Sequence, residues 1–421
     1  MKNRLVSLDV FRGLTIMLMT IVNNPGDWGN VYPPLLHAEW HGWTLTDLVF
    51  PFFITIVGIS ITLSTPERAF SHDWMGKLLT RTFKILILGL FLSFFSKIQL
   101  GNLDGIPLLL FRLFVTSLIV IVCLGDYDKK IQFYATIMLL SGLIVLAFGG
   151  FEAFASVRVP GVLQRIALVF FFSSLAYVYL STTGIILLTF LLLGIYAYIM
   201  QSVSVPGVPV GSLEPGLNVA AYWDNALLGG HLYSQTKTWD PEGILSTLPA
   251  IASGNIGILI GLVLKSDFSK YKISLITIIA GVLMFAAGTY WGHYFPVNKA
   301  LWTSSYVLVM AGVAAMTLGV LFGLFEIFLV DYPKIALPFV VFGTNAITVF
   351  FFSGIIPRAL GMIKIGSGEE EMGLTTYLYT TWILPSFTNP MNASLAGALI
   401  YLVIWGGILT YFYRQNRIFK V

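Results

Sequence analysis

The stretch Leu45-Thr46-Asp47-Leu48-Val49-Phe50-Pro51-Phe52-Phe53-Ile54-Thr55-Ile56-Val57-Gly58-Ile59-Ser60-Ile61-Thr62-Leu63-Ser64 decides the fold. A helix needs about 20 mainly apolar residues to cross a bilayer, so this segment reads as a membrane span with one carboxylate, Asp47, at its mouth. Just before it stands Leu36-His37-Ala38-Glu39-Trp40-His41-Gly42. Ionisable side chains near hydrocarbon are costly and tend to mark function, and histidine suits proton transfer near neutral pH. Chemistry is therefore expected at this junction.

The rest of the chain agrees with a membrane reading. Its 421 residues are 57% hydrophobic and 10% charged, with a mean hydropathy of +0.85, the composition of an all-α, polytopic membrane protein. The net charge of +4 is spread over many short loops, so it reads as an orientation signal and not as a nucleic-acid surface. A lone Cys123 excludes an intrachain disulfide framework and a cysteine metal cluster. The first apolar run is interrupted by Asp9 and Arg12 and lacks a small-residue cleavage site. No removable signal peptide is expected, and the mature protein is expected to start at or near Met1.

Twelve runs are long and apolar enough to span. They are Leu5–Asn23, Leu45–Ser64, Leu78–Ser96, Pro107–Cys123, Ile131–Gly149, Val162–Leu180, Gly184–Met200, Ile244–Leu264, Ile273–Tyr290, Leu301–Phe322, Ala336–Ile356 and Leu395–Tyr413. The pair Pro107–Cys123 and Ile131–Gly149 has the thinnest support; without it about ten spans remain and the orientation is unchanged. Basic residues collect at Lys2 and Arg4, at Arg68, Lys77 and Arg81, at Lys129 and Lys130, at Lys265, Lys270 and Lys272, and at Arg414, Arg417 and Lys420. The positive-inside rule then puts both termini in the cytoplasm.

A single transmembrane domain is expected over residues 1–421, with a long external loop at 201–243. Prolines and glycines break the first half of that loop, while Ala220–Leu228 suits a short interfacial helix. A second excursion, Arg358–Ala393, carries Glu369, Glu370 and Glu371 and reads as a solvated loop. No internal repeat is evident, so the sequence lends no support to an inverted-repeat transporter.

With this orientation the polar signatures share one face: His37, Trp40, His41 and Asp47, then Gln164 and Arg165, Asp240 and Glu242, and Asn298, Lys299 and Trp302. Acids, bases, amides and indoles gathered at one membrane face suit a polar, sugar-like ligand. Plainer readings exist for each. His37 and His41 have a metal-ligand spacing without a third ligand, Asp47 suits a helix cap, and Trp40 and Trp43 suit an interfacial aromatic belt. Lys77, Arg81 and Lys84 recur at i, i+4 and i+7 on one cytoplasmic helix face, where membrane anchoring competes with phosphate binding.

The chain resembles the heparan-alpha-glucosaminide N-acetyltransferases and their bacterial relatives, within the wider transmembrane acyltransferases. The matching strings are Ser7-Leu8-Asp9-Val10-Phe11-Arg12-Gly13, His37-Ala38-Glu39-Trp40, Asp47-Leu48-Val49-Phe50-Pro51, Val159-Pro160-Gly161-Val162-Leu163-Gln164-Arg165, Asp240-Pro241-Glu242-Gly243-Ile244-Leu245, and Pro296-Val297-Asn298-Lys299 with Leu301-Trp302. The resemblance implies acetyl transfer from cytosolic acetyl-CoA, a co-substrate, across the bilayer to the amino group of a glucosamine-type sugar. It implies catalytic roles for His37, Asp47 and Asn23, with the family's Gln-Arg pair at Gln164 and Arg165. The animal enzymes carry a luminal amino-terminal domain, for which no counterpart is expected in this protein, and this chain has extra apolar sequence at about Pro107–Gly149. A homodimer is left open.

The chemistry can also be argued without the family. A protonated amine cannot attack a thioester, so the site must accept a proton, and a histidine near its reference pKa does this with little tuning. Direct transfer with His37 as base, Asp47 orienting it and Asn23 donating to the thioester oxygen is the preferred route; a transient acetyl-imidazole on His37 is the other. Trp40, Gln164, Arg165, Asp240, Glu242, Asn298, Lys299 and Trp302 are the expected sugar contacts, and Lys77, Arg81 and Lys84 the expected coenzyme phosphate contacts. No metal is expected. An amino-sugar permease, with His37 as a proton relay, is the alternative function.

Overall fold

The computed structural model describes residues 5–65, 67–330, 333–368 and 371–419; Lys2, Arg4, Glu369, Glu370 and Lys420 lie outside the described residues. The fold is nearly all helix. Its helices are α1 (Val6–Asn23), α2 (Val49–Ser64), α3 (His72–Phe94), α4 (Gly105–Leu124), α5 (Lys129–Phe148), α6 (Val162–Tyr179), α7 (Thr182–Ser202), α8 (Val219–Leu228), α9 (Thr247–Leu264), α10 (Lys270–Trp291), α11 (Ser304–Gly323), α12 (Pro333–Thr344), α13 (Ala346–Gly361), α14 (Leu374–Leu378) and α15 (Pro390–Arg414). Two small antiparallel hairpins pair Leu213–Glu214 with Leu217–Asn218 and Lys364–Ile365 with Met372–Gly373. Among the described residues eleven helices are long and apolar enough to cross a membrane, and the bent pair α12–α13 makes the twelfth if it counts as one crossing. The protein is an integral membrane protein.

The pair Pro107–Cys123 and Ile131–Gly149 forms two full helices, α4 and α5, packed outside α3 with Leu110, Phe114 and Met138 exposed. Ala220–Leu228 lies in α8, whose start is capped by Asn218 accepting from the Ala221 N–H. Two expectations need correction. The run Ala336–Ile356 is not one straight span but breaks by 62° between α12 and α13. Asn345 sits at the break with φ −118° and ψ 34°, outside helical geometry, and its side-chain oxygen accepts the Phe419 N–H at 2.9 Å. The region Arg358–Ala393 is also not simply a solvated loop: α13 continues to Gly361, and the second hairpin and α14 follow.

The core is built from α1, α2, α6, α7, α9 and α11, with Phe11, Ile54, Val169, Ile256, Tyr306 and Met310 nearly or wholly buried at its centre. Small residues let membrane helices approach closely. A Cβ on Gly58 of α2 would lie 2.0 Å from the Gly254 carbonyl oxygen of α9, and one on Gly13 of α1 would lie 1.9 Å from that of Phe339 in α12. These contacts fix the inner helices, so the chain segments where α1 ends and where α2, α6, α9 and α11 begin gather on one face. That face carries His37. The opposite face carries the start of α1, the end of α2 and the start of α3, with Arg12, Lys77 and Arg81.

Candidate active site

The Asp47 side chain is 1% exposed and sits in a 3-10 turn, Thr46–Leu48, that leads into α2. A buried carboxylate must be matched by donors. Its Oδ1 is 2.6 Å from His37 Nδ1. Its Oδ2 accepts the Ala38 N–H at 3.0 Å, the Thr44 N–H at 2.9 Å and the Thr44 hydroxyl at 3.2 Å. Asp47 therefore does more than end a helix: it closes loop 37–44 into a ring around itself. From the core, the Tyr306 hydroxyl donates to the Asp47 backbone carbonyl at 2.7 Å and ties this loop to α11.

A carboxylate only accepts, so Nδ1 of His37 carries the proton and Nε2 presents a lone pair. The His37 side chain is 52% exposed, open enough for a substrate to reach it. Lys299 Nζ lies 3.2 Å from Nε2 and 3.5 Å from Nδ1. The two ring nitrogens flank Cε1, and an ammonium on the Nε2 lone-pair axis would stand much farther from Nδ1. The nearly equal distances put Nζ over the ring face, leaving the lone pair open. Lys299 is half-buried; loss of hydration pulls its pKa below the ordinary lysine range, and Glu242 and Asp47 offset part of that shift.

The second wall of the site comes from the chain before α6 and before α9. Arg158 donates from Nε to Asp240 Oδ2 at 2.8 Å, from Nη2 to Asp240 Oδ1 at 2.5 Å, and from Nη2 to Glu242 as well. Burial raises the Glu242 pKa, but the charges of Arg158, Lys299 and Arg165 outweigh it and hold this carboxyl below its ordinary value. Asp240 and Glu242 are thus first the partners of Arg158. Sequence reasoning missed Arg158, although a single cation directly before the Val159-Pro160-Gly161 string is the signal that marks it. Asp224 of α8 was missed too: it accepts the N–H groups of Asp240 at 3.2 Å and Ile244 at 2.9 Å. A Cβ on Gly243 would fall 2.1 Å from Asp224 Oδ2, which explains the glycine after Asp240-Pro241-Glu242.

The other expected sugar contacts divide. Trp40 is half-buried, donates from Nε1 to the Leu213 carbonyl at 2.9 Å and meets the Trp239 ring edge-on at 5.4 Å, so it joins loop 37–44 to loop 203–246. Asn298 is buried and caps the turn before α11 by accepting the Leu301 N–H at 2.9 Å; its Nδ2 lies 3.4 Å from His41 Nδ1. Gln164 donates to the Val159 carbonyl at 3.0 Å. Arg165, 1% exposed, donates to the Gly243 carbonyl at 3.1 Å and to Ser246. Trp302 corrects the sequence reading. It is 1% exposed, packed against Phe50 and Tyr306 and bonded to Ser253 at 3.2 Å, with φ 51°. It is core scaffold beneath the site and offers no face to a sugar. Asn23 is exposed in the last turn of α1, on the His37 face. Among the described residues no group of three or more metal-ligating side chains is brought together.

On the opposite face a cavity of about 550 Å³ is bordered by Arg12, Ser60, Arg81, Phe53, Leu163 and Phe350 among others. Arg12 donates to Asp9 at 3.2 Å and to Ser60 at 3.1 Å, and the Arg81 guanidinium stands 4.7 Å over the Phe170 ring. Lys77 is ion-paired with Asp73 at 2.6 Å, beside a neighbouring cleft that Arg81 also lines. Lys84 does not belong with them. It is 6% exposed and turns toward Cys123 and Asp126, because α4 and α5 cover that side of α3.

Burial pushes the Asp224 carboxyl from 3.8 up to about 6, even though two backbone N–H groups donate to it. A raised pKa means that the folded state favours the protonated form, so this stabilisation is complete below 3.8 and is lost as pH rises through about 6. Amide exchange across residues 240–246, corrected for intrinsic rates, is expected to quicken over that interval, and Asp224→Asn is expected to remove the step. Protection that stays flat with pH in the unsubstituted protein would contradict it.

Comparison with known proteins agrees with the resemblance read from the motifs. The family described as heparan-alpha-glucosaminide N-acetyltransferase, catalytic, matches residues 4–155, a segment that includes Asn23, His37, Asp47, Lys77, Arg81 and Lys84. The human protein named heparan-alpha-glucosaminide N-acetyltransferase is 28% identical over an alignment 432 positions long, gaps included, covering 91% of this chain and 58% of its own length. The mouse protein of the same name is 28% identical over an alignment 480 positions long, gaps included, covering 100% of this chain and 61% of its own. The chain thus spans about three fifths of the length of these curated relatives. On its motifs and these matches, the chain is similar to the heparan-alpha-glucosaminide N-acetyltransferases.

Proposed function

We propose that this protein transfers an acetyl group from acetyl-CoA to the amino group of a glucosamine-type sugar, with the coenzyme entering from the Arg81 face and the sugar from the His37 face. The observation that carries this reading is the exposed His37, locked in one tautomer by Asp47, on the face opposite a basic cavity. On the proposed orientation the termini and Arg81 are cytoplasmic, in the plasma (bacterial inner) membrane. The permease alternative is not favoured, since both curated relatives carry the transferase name.

His37 Nε2 takes a proton from the sugar ammonium, and the freed amine attacks the thioester carbon. Lys299, over the imidazole, places positive charge near the oxygen that becomes anionic, and Asn23 is a second donor on that face. The carbon–sulfur bond then breaks. Of the two protons the nitrogen loses, one passes through His37 to the departing thiolate and one goes to solvent. Asp47 keeps Nδ1 protonated throughout and offsets the charge of the imidazolium. At the other end, the cavity borders Arg12 and Arg81 as the cationic partners for the coenzyme's phosphates, with Lys77 beside them.

Purified protein supplied with radiolabelled acetyl-CoA and glucosamine is expected to yield labelled N-acetylglucosamine. His37→Ala should lower turnover by roughly 10²- to 10⁴-fold with unchanged size-exclusion behaviour, the range typical of a lost general base. Comparable turnover in the variant would remove His37 from the mechanism. The coenzyme site makes a separate prediction. Arg81→Gln should weaken acetyl-CoA binding about tenfold, whereas Lys84→Met should leave it near wild type, as read by calorimetry; the reverse order would return Arg81 to membrane anchoring.

A further inference from the structure

A groove of about 870 Å³ runs between α3, α5, α6, α7 and α9. Its walls are apolar, and Ile144, Phe148, Leu168 and Phe172 on them are exposed on the flank of the helix bundle, so it opens sideways into lipid. Along α6 it reaches from Gln164 to Tyr179, roughly 20 Å at the helical rise of 1.5 Å per residue. Its far end is lined by Leu175, Ala176, Leu180 and Leu188, with Tyr179 as the one polar-tipped side chain there. At its near end Gln164, Arg165 and Glu242 border it, on the same face as His37.

Arg165 is 1% exposed and also borders this groove. Its Nη2 is bonded, but Nε and Nη1 have no hydrogen-bond partner. Buried donors are nearly always matched, so two unpartnered guanidinium nitrogens, buried beside the end of this groove, point to oxygen atoms that an occupant supplies once the guanidinium turns toward it. Glu242, at the same end, is an anion that suits an ammonium, and it is coupled electrostatically to Lys299, which touches His37. A bulk lipid tail would need the apolar walls alone.

We propose that the acceptor is a membrane amphiphile: an amino sugar carried on an apolar tail, with the tail in this groove, ring oxygens at Arg165 and the amine at Glu242 on its way to His37. This rests on the transferase reading and specifies its substrate. Delivery is lateral, from the bilayer, and the head needs to move only from Glu242 past Lys299 to the imidazole.

The test compares free glucosamine with dodecyl glucosaminide as acceptors for wild type and Leu168→Trp, each reconstituted in nanodiscs with radiolabelled acetyl-CoA. Leu168 lies on the groove wall, where an indole takes up tail space. Wild type is expected to favour the dodecyl acceptor at least tenfold in kcat/KM, and the substitution to cut that ratio at least fivefold. A ratio near one, or a ratio that filling the groove does not change because bilayer partitioning alone produces it, would overturn the proposal. If neither acceptor is acetylated, the transferase reading fails and the groove is judged by binding. A dodecyl glucosaminide with a photoreactive tail group, added to the wild-type protein, should then label peptides containing Ile144, Leu168 or Phe172. Labelling spread evenly over the exposed helices would overturn it, and the same measurement decides should Leu168→Trp fail to fold.

Discussion

A carboxylate 1% exposed at the first turn of a membrane helix sets the terms for everything around it. Asp47 needs donors, and it takes them from the His37 ring, two backbone N–H groups and a threonine hydroxyl. Each donor lies in the ten residues before Asp47, so satisfying the charge folds the loop. Losing one partner of a buried polar group costs about 1–3 kcal/mol, and more for a charge, which ties the loop's order to its chemistry. The Tyr306 hydroxyl on the Asp47 carbonyl then fixes that loop to the inner helices. The imidazole is held by the same bond that stabilises the fold.

Around this point the site is assembled from loops that are far apart in sequence. The Gly42 N–H donates to the Val297 carbonyl at 2.7 Å, which seats Lys299 beside His37. Trp40 reaches the Leu213 carbonyl, and Arg158 draws Asp240 and Glu242 to the start of α6. The ionic network has three carboxylates, Asp224, Asp240 and Glu242, and three cations, Arg158, Arg165 and Lys299. Buried ions are tolerated when paired and hydrogen-bonded, as Asp240 and Glu242 are by Arg158. Through the bilayer from them, Arg12 and Arg81 border a cavity whose walls pass up α2 to Phe53 and up α6 to Leu163. Phe53 stands six residues along the chain from Asp47, about 9 Å at the helical rise, the gap that a thioester arm would bridge on the proposed function.

Much of this was legible in the sequence, for physical reasons. Membrane spans must satisfy their own backbone in hydrocarbon, so eleven apolar runs became helices near their expected places. The His37 and Asp47 pairing was legible because a loop histidine next to an acid at a span's mouth has few competing explanations. The bend at Asn345 was hidden, since hydropathy averages over a break that one side chain and close packing on α1 create. Trp302 was misread because an indole at a membrane face looks the same in sequence whether it points outward or into the core. Lys84 was misread because helical spacing from Lys77 and Arg81 fixes a direction but not what covers it, and here α4 and α5 do. Arg158 escaped notice because its meaning lies in Asp240 and Glu242, more than eighty positions away.

The central claim is that donor and acceptor meet from opposite sides of the bilayer. It is tested most directly in sealed proteoliposomes of one orientation, with acetyl-CoA confined to the Arg81 side and glucosamine, or its dodecyl glycoside, to the His37 side. The account predicts acetylated sugar on the His37 side and free coenzyme A on the Arg81 side. Product formed only when both substrates share one compartment would contradict it.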